Sequence, residues 1–263
     1  MSSDFWVVIP ARRASTRLPN KPLADIHGRP MIVRVAEQAT KSGASKVVVA
    51  TDDQEIVSVV TAHGFEAVLT RADHPSGTDR IAEVCQRMQA RSEQLIVNVQ
   101  GDEPMMDPQL VAAVAERLAN EPRASVSTAA APLLDDESLT SPHVVKVVCN
   151  EQGHALYFSR APIPYHRDQW PTLQSLSVAS VSPQANPMMR HLGIYGFRAG
   201  ALSEFVTWPS APIERLEQLE QLRWLWKGRL IAVHLAAASP HGGVDTPEDL
   251  DRVRALWPEH QRG

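Results

Sequence analysis

An apolar, β-like run in this sequence ends abruptly at Gln100-Gly101-Asp102-Glu103-Pro104. Acidic groups so placed stand at the carboxyl end of a strand, where open parallel sheets keep their active sites. A carboxylate there serves a metal or a polar ligand, or it caps the next helix as an ordinary acidic turn residue. Asp245, in Gly242-Gly243-Val244-Asp245-Thr246-Pro247, marks a second strand-to-helix junction. Two carboxylates from distant segments can share one hard cation such as Mg2+ in an oxygen-only site. Asp245 is equally suited to capping, because the helix dipole stabilises an acid beside an N-terminus. Spacing alone does not choose between the two roles.

A second group of residues is basic. The segment Pro10-Ala11-Arg12-Arg13-Ala14-Ser15-Thr16-Arg17-Leu18-Pro19-Asn20-Lys21-Pro22 carries Arg12, Arg13, Arg17 and Lys21 within ten residues, with small residues at Ala11, Ala14 and Ser15. Cations combined with backbone N–H groups that a ligand can approach suit a triphosphate. A solvated basic surface loop is the plainer reading. Neither GxGxxG nor GxxxxGK[ST] occurs, so a Rossmann dinucleotide site and a Walker loop lack support. In Arg71-Ala72-Asp73-His74-Pro75-Ser76-Gly77-Thr78-Asp79-Arg80, Ser76 and Gly77 precede a helix start where a polar ligand can meet backbone. Thr78 also suits simple capping there, and His74 reads as a polar loop residue.

Further along, His191-Leu192-Gly193-Ile194-Tyr195-Gly196 alternates polar and apolar, and Arg160 follows Tyr157-Phe158-Ser159. His191 is tempting as a base, but an isolated histidine is more often a structural hydrogen-bonding group. Glu214, Glu217, Gln218, Glu220 and Gln221 crowd one segment. Most are solvated helix positions, and a subset can turn hydroxyl-binding groups toward a sugar.

The elements that must position these residues follow from periodicity. Residues 5–9 read as a buried strand, and 46–50, 66–69 and 95–99 as further strands. Between them lie helical patterns: one opened by Pro30 with Ile32, Val35, Ala36 and Ala39 on one face, one through Ile56, Val59 and Val60, and one beginning at Thr78 with Ile81, Val84, Cys85 and Met88 inward. Pro108 starts another. Strands alternating with helices predict a parallel sheet built from right-handed crossovers. The middle differs: 125–130 and 144–149 read as strands with no helix between them, and 168–186, rich in Pro, Ser and Gln, as a flexible surface loop. Residues 191–197 and 230–235 read as strands, and 213–226 as one strong helix with Leu216, Leu219, Leu222 and Trp226 inward. Thr246-Pro247-Glu248-Asp249 starts the last helix with an N-cap and Pro at its first position. The pattern amounts to one α/β domain with a smaller insertion from about 130 to 200.

Composition is that of an ordinary globular protein: 263 residues, 43% apolar and 21% charged, enough for one large or two small domains. A net charge of −4 advertises no nucleic-acid binding. Cys85 and Cys149 lack CxxC spacing and read as reduced core thiols of a cytosolic protein. The apolar run at 5–9 is too short for a signal peptide or a membrane span, so a soluble intracellular protein is expected.

Taken together, Pro10-Ala11-Arg12, Ser15-Thr16-Arg17-Leu18-Pro19 and Lys21-Pro22, then Thr70-Arg71-Ala72-Asp73-His74 with Ser76-Gly77-Thr78, then Asn98-Val99-Gln100-Gly101-Asp102-Glu103-Pro104, closely resemble the 3-deoxy-manno-octulosonate (Kdo) cytidylyltransferase family, the CMP-Kdo synthetases. Tyr157-Phe158-Ser159-Arg160, Arg190-His191-Leu192-Gly193-Ile194-Tyr195 and Gly243-Val244-Asp245-Thr246-Pro247-Glu248-Asp249 continue the resemblance. It runs from residue 5 to about 257 except at 168–187.

The resemblance implies a single Rossmann-like nucleotidyltransferase domain with a mostly parallel sheet and an inserted dimerisation and sugar-binding lobe. It implies that CTP and Kdo give CMP-Kdo and diphosphate for lipopolysaccharide synthesis, in a cytoplasmic homodimer. The anomeric hydroxyl attacks the α-phosphorus in line, so catalysis is positioning plus charge stabilisation by Mg2+. Asp102 and Asp245 match the family's metal ligands. Arg12 and Lys21 match triphosphate-binding cations, with Ala11 and Ser15 giving close contacts. Arg71, Ser76, Gly77 and Gln100 match the nucleotide side, Gln100 reaching the sugar too. Arg17, Arg160, His191, Tyr195, Glu214 and Gln221 match the Kdo side. Glu103 is expected to shape the turn with Pro104.

The same basic loop and acidic pair would serve a CMP-sialate synthetase, although the segments at Gln100–Pro104 and His191 favour Kdo. A nucleotide-binding protein without catalysis need not keep two carboxylates at the phosphates. A metal-dependent glycosyltransferase often places Asp-x-Asp at a strand end, where this chain has Gly101-Asp102-Glu103.

Overall fold

In the central strands apolar side chains point to both faces of the sheet and are buried on both, the pattern of a sheet covered by helices on either side. In the computed structural model, which describes residues 4–13, 17–133, 136–165, 167, 188–238 and 242–260, β1 (Phe5–Ala11) turns Val7 and Ile9 to one layer and Val8 to the other. A turn of 3-10 helix (Lys21–Leu23) and a small antiparallel pair, β2 (Asp25–Ile26) and β3 (Arg29–Pro30), follow. Then come α1 (Met31–Thr40), β4 (Lys46–Thr51), α2 (Gln54–Ala62), β5 (Glu66–Leu69), α3 (Gly77–Arg87), β6 (Leu95–Asn98), α4 (Pro108–Ala119) and β7 (Ala124–Pro132). The second part holds α5 (Asp136–Thr140), β8 (Lys146–Cys149), β9 (Ala155–Ser159), β10 (Met189–Arg198), α6 (Ala199–Phe205), α7 (Pro212–Glu217), α8 (Leu222–Trp226), β11 (Leu230–Leu235) and α9 (Pro247–His260).

The strands form a mixed, mostly parallel sheet in the order β11-β7-β10-β6-β1-β4-β5, with β8 and β9 joined beside β10. β1 pairs in parallel with both β4 and β6, whereas β10 runs antiparallel between β6 and β7. The chain therefore winds outward from β1 through β4 and β5, then returns to add β6 on the other flank. That reversal opens a crevice at the carboxyl ends of β1 and β6, the place where α/β sheets bind ligands.

One apolar layer packs α1, α2 and α4 against the sheet, with Ile32, Ile56, Val111 and Val114 among its buried members. The other packs α3, α6 and α8, where Trp224 stacks on Phe205 at 4.6 Å between ring centres. Burying such side chains contributes about 1.5–3 kcal/mol each. A third cluster, with Ile26, Met31, Met105, Val244, Leu250, Val253 and Trp257, docks α9 on the β2–β3 pair. It anchors the segment carrying Asp245, whose neighbour Val244 donates its N–H to the Asp102 carbonyl at 2.8 Å.

Several expectations need correction. The segment 213–226 is two short helices, because Gln218 takes a left-handed conformation (φ 53°) that ends α7. The break turns Leu216 and Trp226 outward, 85% and 56% exposed, while Leu219 and Leu222 stay buried. α3 is capped by Ser76, not Thr78: the Asp79 N–H reaches the Ser76 hydroxyl at 3.3 Å. A short helix, α5, does lie between β7 and β8. The segment 168–187 and Ser15 lie outside the described residues.

Candidate active site

The crevice is built from three segments that the topology brings together. Pro10, Ala11, Arg12, Arg17, Lys21 and Pro22 come from the β1 exit, Gln100, Gly101 and Asp102 from the β6 exit, and Asp245 from the turn before α9. They line a cleft of about 350 Å³. The two exits touch so closely that a Cβ at Gly101 would stand 2.8 Å from the Pro10 carbonyl oxygen. Only glycine lets the segment carrying Asp102 lie against β1.

Lys21 joins the acidic residues. Its Nζ donates to Asp102 Oδ2 at 2.6 Å and to Asp245 Oδ1 at 3.1 Å, and Arg17 reaches the other oxygen of Asp245 at 3.1 Å. Burial works against the Lys21 ammonium, but Asp102 and then Asp245 outweigh it and hold its pKa above the ordinary lysine value. A positive charge thus already sits between the two carboxylates, so the space accommodates a cation. Among the described residues no group of three or more His, Cys, Asp or Glu side chains forms a closed metal cage. Two carboxylates in an open cleft suit Mg2+, which keeps several waters and completes its shell with substrate phosphates. Glu103 has a different character. Burial first, then the charge of Asp102, raises its carboxyl to about 8, and Oε2 has no hydrogen-bond partner among the described residues. The turn itself is made by backbone, with the Glu103 N–H on the Gln100 carbonyl at 3.2 Å.

A second cavity, of about 190 Å³, adjoins the first through Gln100. Ser76, Gly77, Thr78, Asn98, Tyr195, Glu220, Gln221 and Trp224 also line it. Hydroxyls, amides and a carboxyl gathered around an apolar floor suit a polyhydroxylated ligand. Thr78 donates to Glu220, and burial raises the Glu220 carboxyl above its ordinary range. Burial, then Glu220, raises the Tyr195 phenol, which keeps its proton.

Of the residues singled out from sequence, the structure therefore unites Ala11, Arg12, Arg17, Lys21, Gln100, Asp102 and Asp245 in one cavity, and Ser76, Gly77, Gln100, Tyr195 and Gln221 in the next. Arg71, Arg160, His191 and Glu214 stand apart from both. Arg71 is exposed and paired with Asp73 at 2.7 Å. Arg160 donates to the Glu217 and Pro142 carbonyls at 2.7 and 2.8 Å. His191 bonds Thr128 Oγ1 at 2.9 Å, packs edge-on against Phe158, and is lowered by burial to about 3. Glu214 is buried, held by Arg223 at 2.5 and 2.9 Å, and caps α7 through the Ala211 N–H. Sequence reasoning passed over Asn98 and singled out Glu214 rather than Glu220. The helix break at Gln218 decides that difference, and no periodic signal marks it.

An open α/β sheet whose switch-point crevice faces a basic loop and a carboxylate pair is the architecture of a nucleotidyltransferase. The family described as cytidylyltransferase matches residues 6–231, and the chain belongs to that family. The structure of CMP:2-keto-3-deoxy-manno-octonic acid synthetase complexed with CTP is similar at 40% identity and a TM-score of 0.86, covering 98% of this chain and 99% of that one. A cytidylyltransferase from Leptospira borgpetersenii serovar Hardjo-bovis (strain JB197) has a TM-score of 0.61 at 14% identity, over 98% and 88% of the two chains, and shares the fold. Members of this family generally use a divalent metal. Among the described residues no helix is long and apolar enough to cross a membrane.

Proposed function

We propose that this protein transfers the cytidylyl group of CTP to Kdo, giving CMP-Kdo and diphosphate for lipopolysaccharide synthesis, as a cytoplasmic homodimer. The observation that carries this reading is the meeting of Lys21, Asp102 and Asp245 in a crevice that opens into a hydroxyl-rich cavity. The 40% identity to a synthetase of that product in complex with CTP supports it. Arg12, Lys21 and the backbone at Ala11 bind the triphosphate, and Ser15 assists. Arg71, Ser76, Gly77 and Gln100 serve the nucleotide. Gln100, Tyr195 and Gln221 face the acceptor sugar and Arg17 meets its carboxylate, while Arg160, His191 and Glu214 support that side from behind.

Asp102 and Asp245 would hold Mg2+. Held by these two carboxylates, such an ion would supply charge neutralisation for the phosphates and a lowered pKa for the attacking hydroxyl. Lys21 holds the two carboxylates in place before substrate binds. The in-line approach of the anomeric hydroxyl to the α-phosphorus needs no covalent enzyme intermediate, so positioning contributes most of the rate. His191 is too weak a base to take the proton, since burial lowers it to about 3.

Release of pyrophosphate from CTP and Mg2+ with Kdo, 8-amino-Kdo and sialic acid as acceptors tests the reading. Release with Kdo is expected. Release with sialic acid alone would make the protein a CMP-sialate synthetase, and CTP binding without any release would make it a binder.

A further inference from the structure

The loop between β5 and α3 approaches the crevice, and a charged stripe on α3 shapes it. Arg80, Glu83 and Arg87 recur at helical spacing, so they share one face. Each reaches back to the loop. Arg80 donates to the Thr70 hydroxyl and pairs with Asp52 at 2.8 Å. Arg87 donates to the Leu69 carbonyl at 2.7 Å. Glu83, between them, has a side chain only 10% exposed and meets three groups. It accepts the Arg71 backbone N–H at 3.0 Å, pairs with the His74 ring, and pairs with Arg87. The ends of that loop segment, Arg71 and His74, are thereby fixed by one carboxylate. Its charge is well supported, since the His74 bond, the Arg71 N–H and Arg87 outweigh the effect of burial and hold the carboxyl below the usual range.

The held loop links directly to the crevice. The His74 carbonyl accepts a hydrogen bond from Arg12 Nη2 at 2.8 Å. Arg12 is otherwise an exposed side chain on the loop after β1. A guanidinium fixed at one nitrogen keeps its remaining donors in a planar fork, and less freedom is lost when that fork meets phosphate.

We propose that Glu83 is a positioning residue for the nucleotide: by clamping Arg71 and His74 it presents the His74 carbonyl that orients Arg12. Glu83 touches neither cavity of the active site and acts through Arg12. The proposal rests on the reading of Arg12 as a triphosphate-binding cation.

The test measures CTP binding by calorimetry with Mg2+ and no acceptor, alongside Tm and steady-state turnover with Kdo. Glu83→Ala should weaken CTP binding about tenfold, the equivalent of one hydrogen bond to a charged group. Its KM for Kdo should stay within about twofold and its Tm should fall by only a few degrees, because water replaces the carboxylate at exposed Arg71 and Arg87 and only the His74 ring loses a buried partner. Glu83→Gln keeps an acceptor for the Arg71 N–H and should recover most of the affinity. Arg12→Ala should lose CTP affinity too, and the double variant Arg12→Ala/Glu83→Ala should bind no worse than Arg12→Ala alone. Additive losses in the double variant, unchanged CTP binding in Glu83→Ala, or a fall in Tm that raises both substrate constants together would each overturn the proposal. Failure of the unaltered protein to bind CTP would instead overturn the functional reading beneath it.

Discussion

Lys21 and Asp102, 81 positions apart, meet through a 2.6 Å charge-assisted hydrogen bond at the carboxyl ends of β1 and β6. The bond joins the basic exit of one strand to the acidic exit of its neighbour, and Asp245 completes it from the last turn before α9. Replacing either carboxylate by an amide of the same shape leaves the packing unchanged and removes half the negative charge facing Lys21. Asp102→Asn and Asp245→Asn should each lower kcat by orders of magnitude, as loss of a metal ligand does, with circular dichroism and Tm close to those of the unaltered protein. Full activity in Asp102→Asn together with inactivity in His191→Ala would reverse the assignment.

The approach of β6 to β1 depends on one missing atom. A Cβ at Gly101 would lie 2.8 Å from the Pro10 carbonyl oxygen and 3.4 Å from the Ala11 and Ile32 side chains. Backbone cannot yield as a flexible side chain does, so Gly101→Ala must push the two exits apart. The expected cost is about 1–3 kcal/mol, the range for overpacking, visible as a lower Tm. Turnover should fall more steeply than stability, because the displacement acts on the segment that carries Asp102. A variant with unchanged Tm and unchanged kcat would show that the exits have room to spare.

Much of this arrangement was legible in the sequence. The strands of the first half announced themselves because burial on both faces demands unbroken apolar runs, as in Val7-Val8-Ile9 and Leu95-Ile96-Val97. Asp102 and the basic loop could be placed at strand ends because strand ends follow from those runs. The second half was harder. The antiparallel insertion of β10 between β6 and β7 joins segments far apart in sequence, and no local pattern encodes it. The stretch 213–226 keeps a helical period through Leu219 and Leu222, yet Gln218 breaks it with a left-handed turn that only tertiary contacts select. That single turn separates Glu214, which faces Arg223, from Glu220, which faces the cavity.

Those two acids should therefore respond differently. Glu214 and Arg223 form a pair with side chains 11% exposed on each side. Removing Glu214 leaves the buried Arg223 charge with the Trp208 carbonyl at 3.3 Å and the face of Phe205, so Glu214→Ala should cost about 3 kcal/mol of stability, the lower end of the range for a broken buried pair, measured by urea unfolding. Glu220 is met by the hydroxyls of Thr78 and Ser76 and faces the second cavity. Glu220→Gln should preserve Tm and raise the KM for the acceptor sugar while that for CTP stays unchanged. Equal losses of stability in both variants would dissolve the distinction.

His191 ties stability to pH. Burial holds its imidazole at about 3, below the ordinary value of 6.5. A histidine depressed in the folded state takes up its proton more readily when unfolded. Its contribution to stability is thus fully present above about pH 6.5 and is lost as pH falls toward 3. Unfolding free energies measured between pH 7.5 and pH 4, by chemical denaturation, should decline on the acid side. His191→Gln should flatten that decline, and an unchanged slope would mean that other groups cause it.

Asn98 poses the opposite problem, a polar group whose folded state leaves it unsatisfied. It is 4% exposed at the end of β6, opposite Tyr195, and its Oδ1 has no hydrogen-bond partner among the described residues. An orphaned buried acceptor costs about 1–3 kcal/mol relative to its hydrated form. Leucine has nearly the same shape and lacks that cost, so Asn98→Leu should raise the Tm of the ligand-free protein. The same change removes an amide from the wall of the second cavity, where a sugar hydroxyl would find it. The acceptor KM should rise even as stability increases, the pattern of a residue kept for binding at the expense of stability. If Asn98→Leu lowers the Tm instead, the amide is supporting the sheet, and its open oxygen carries no ligand.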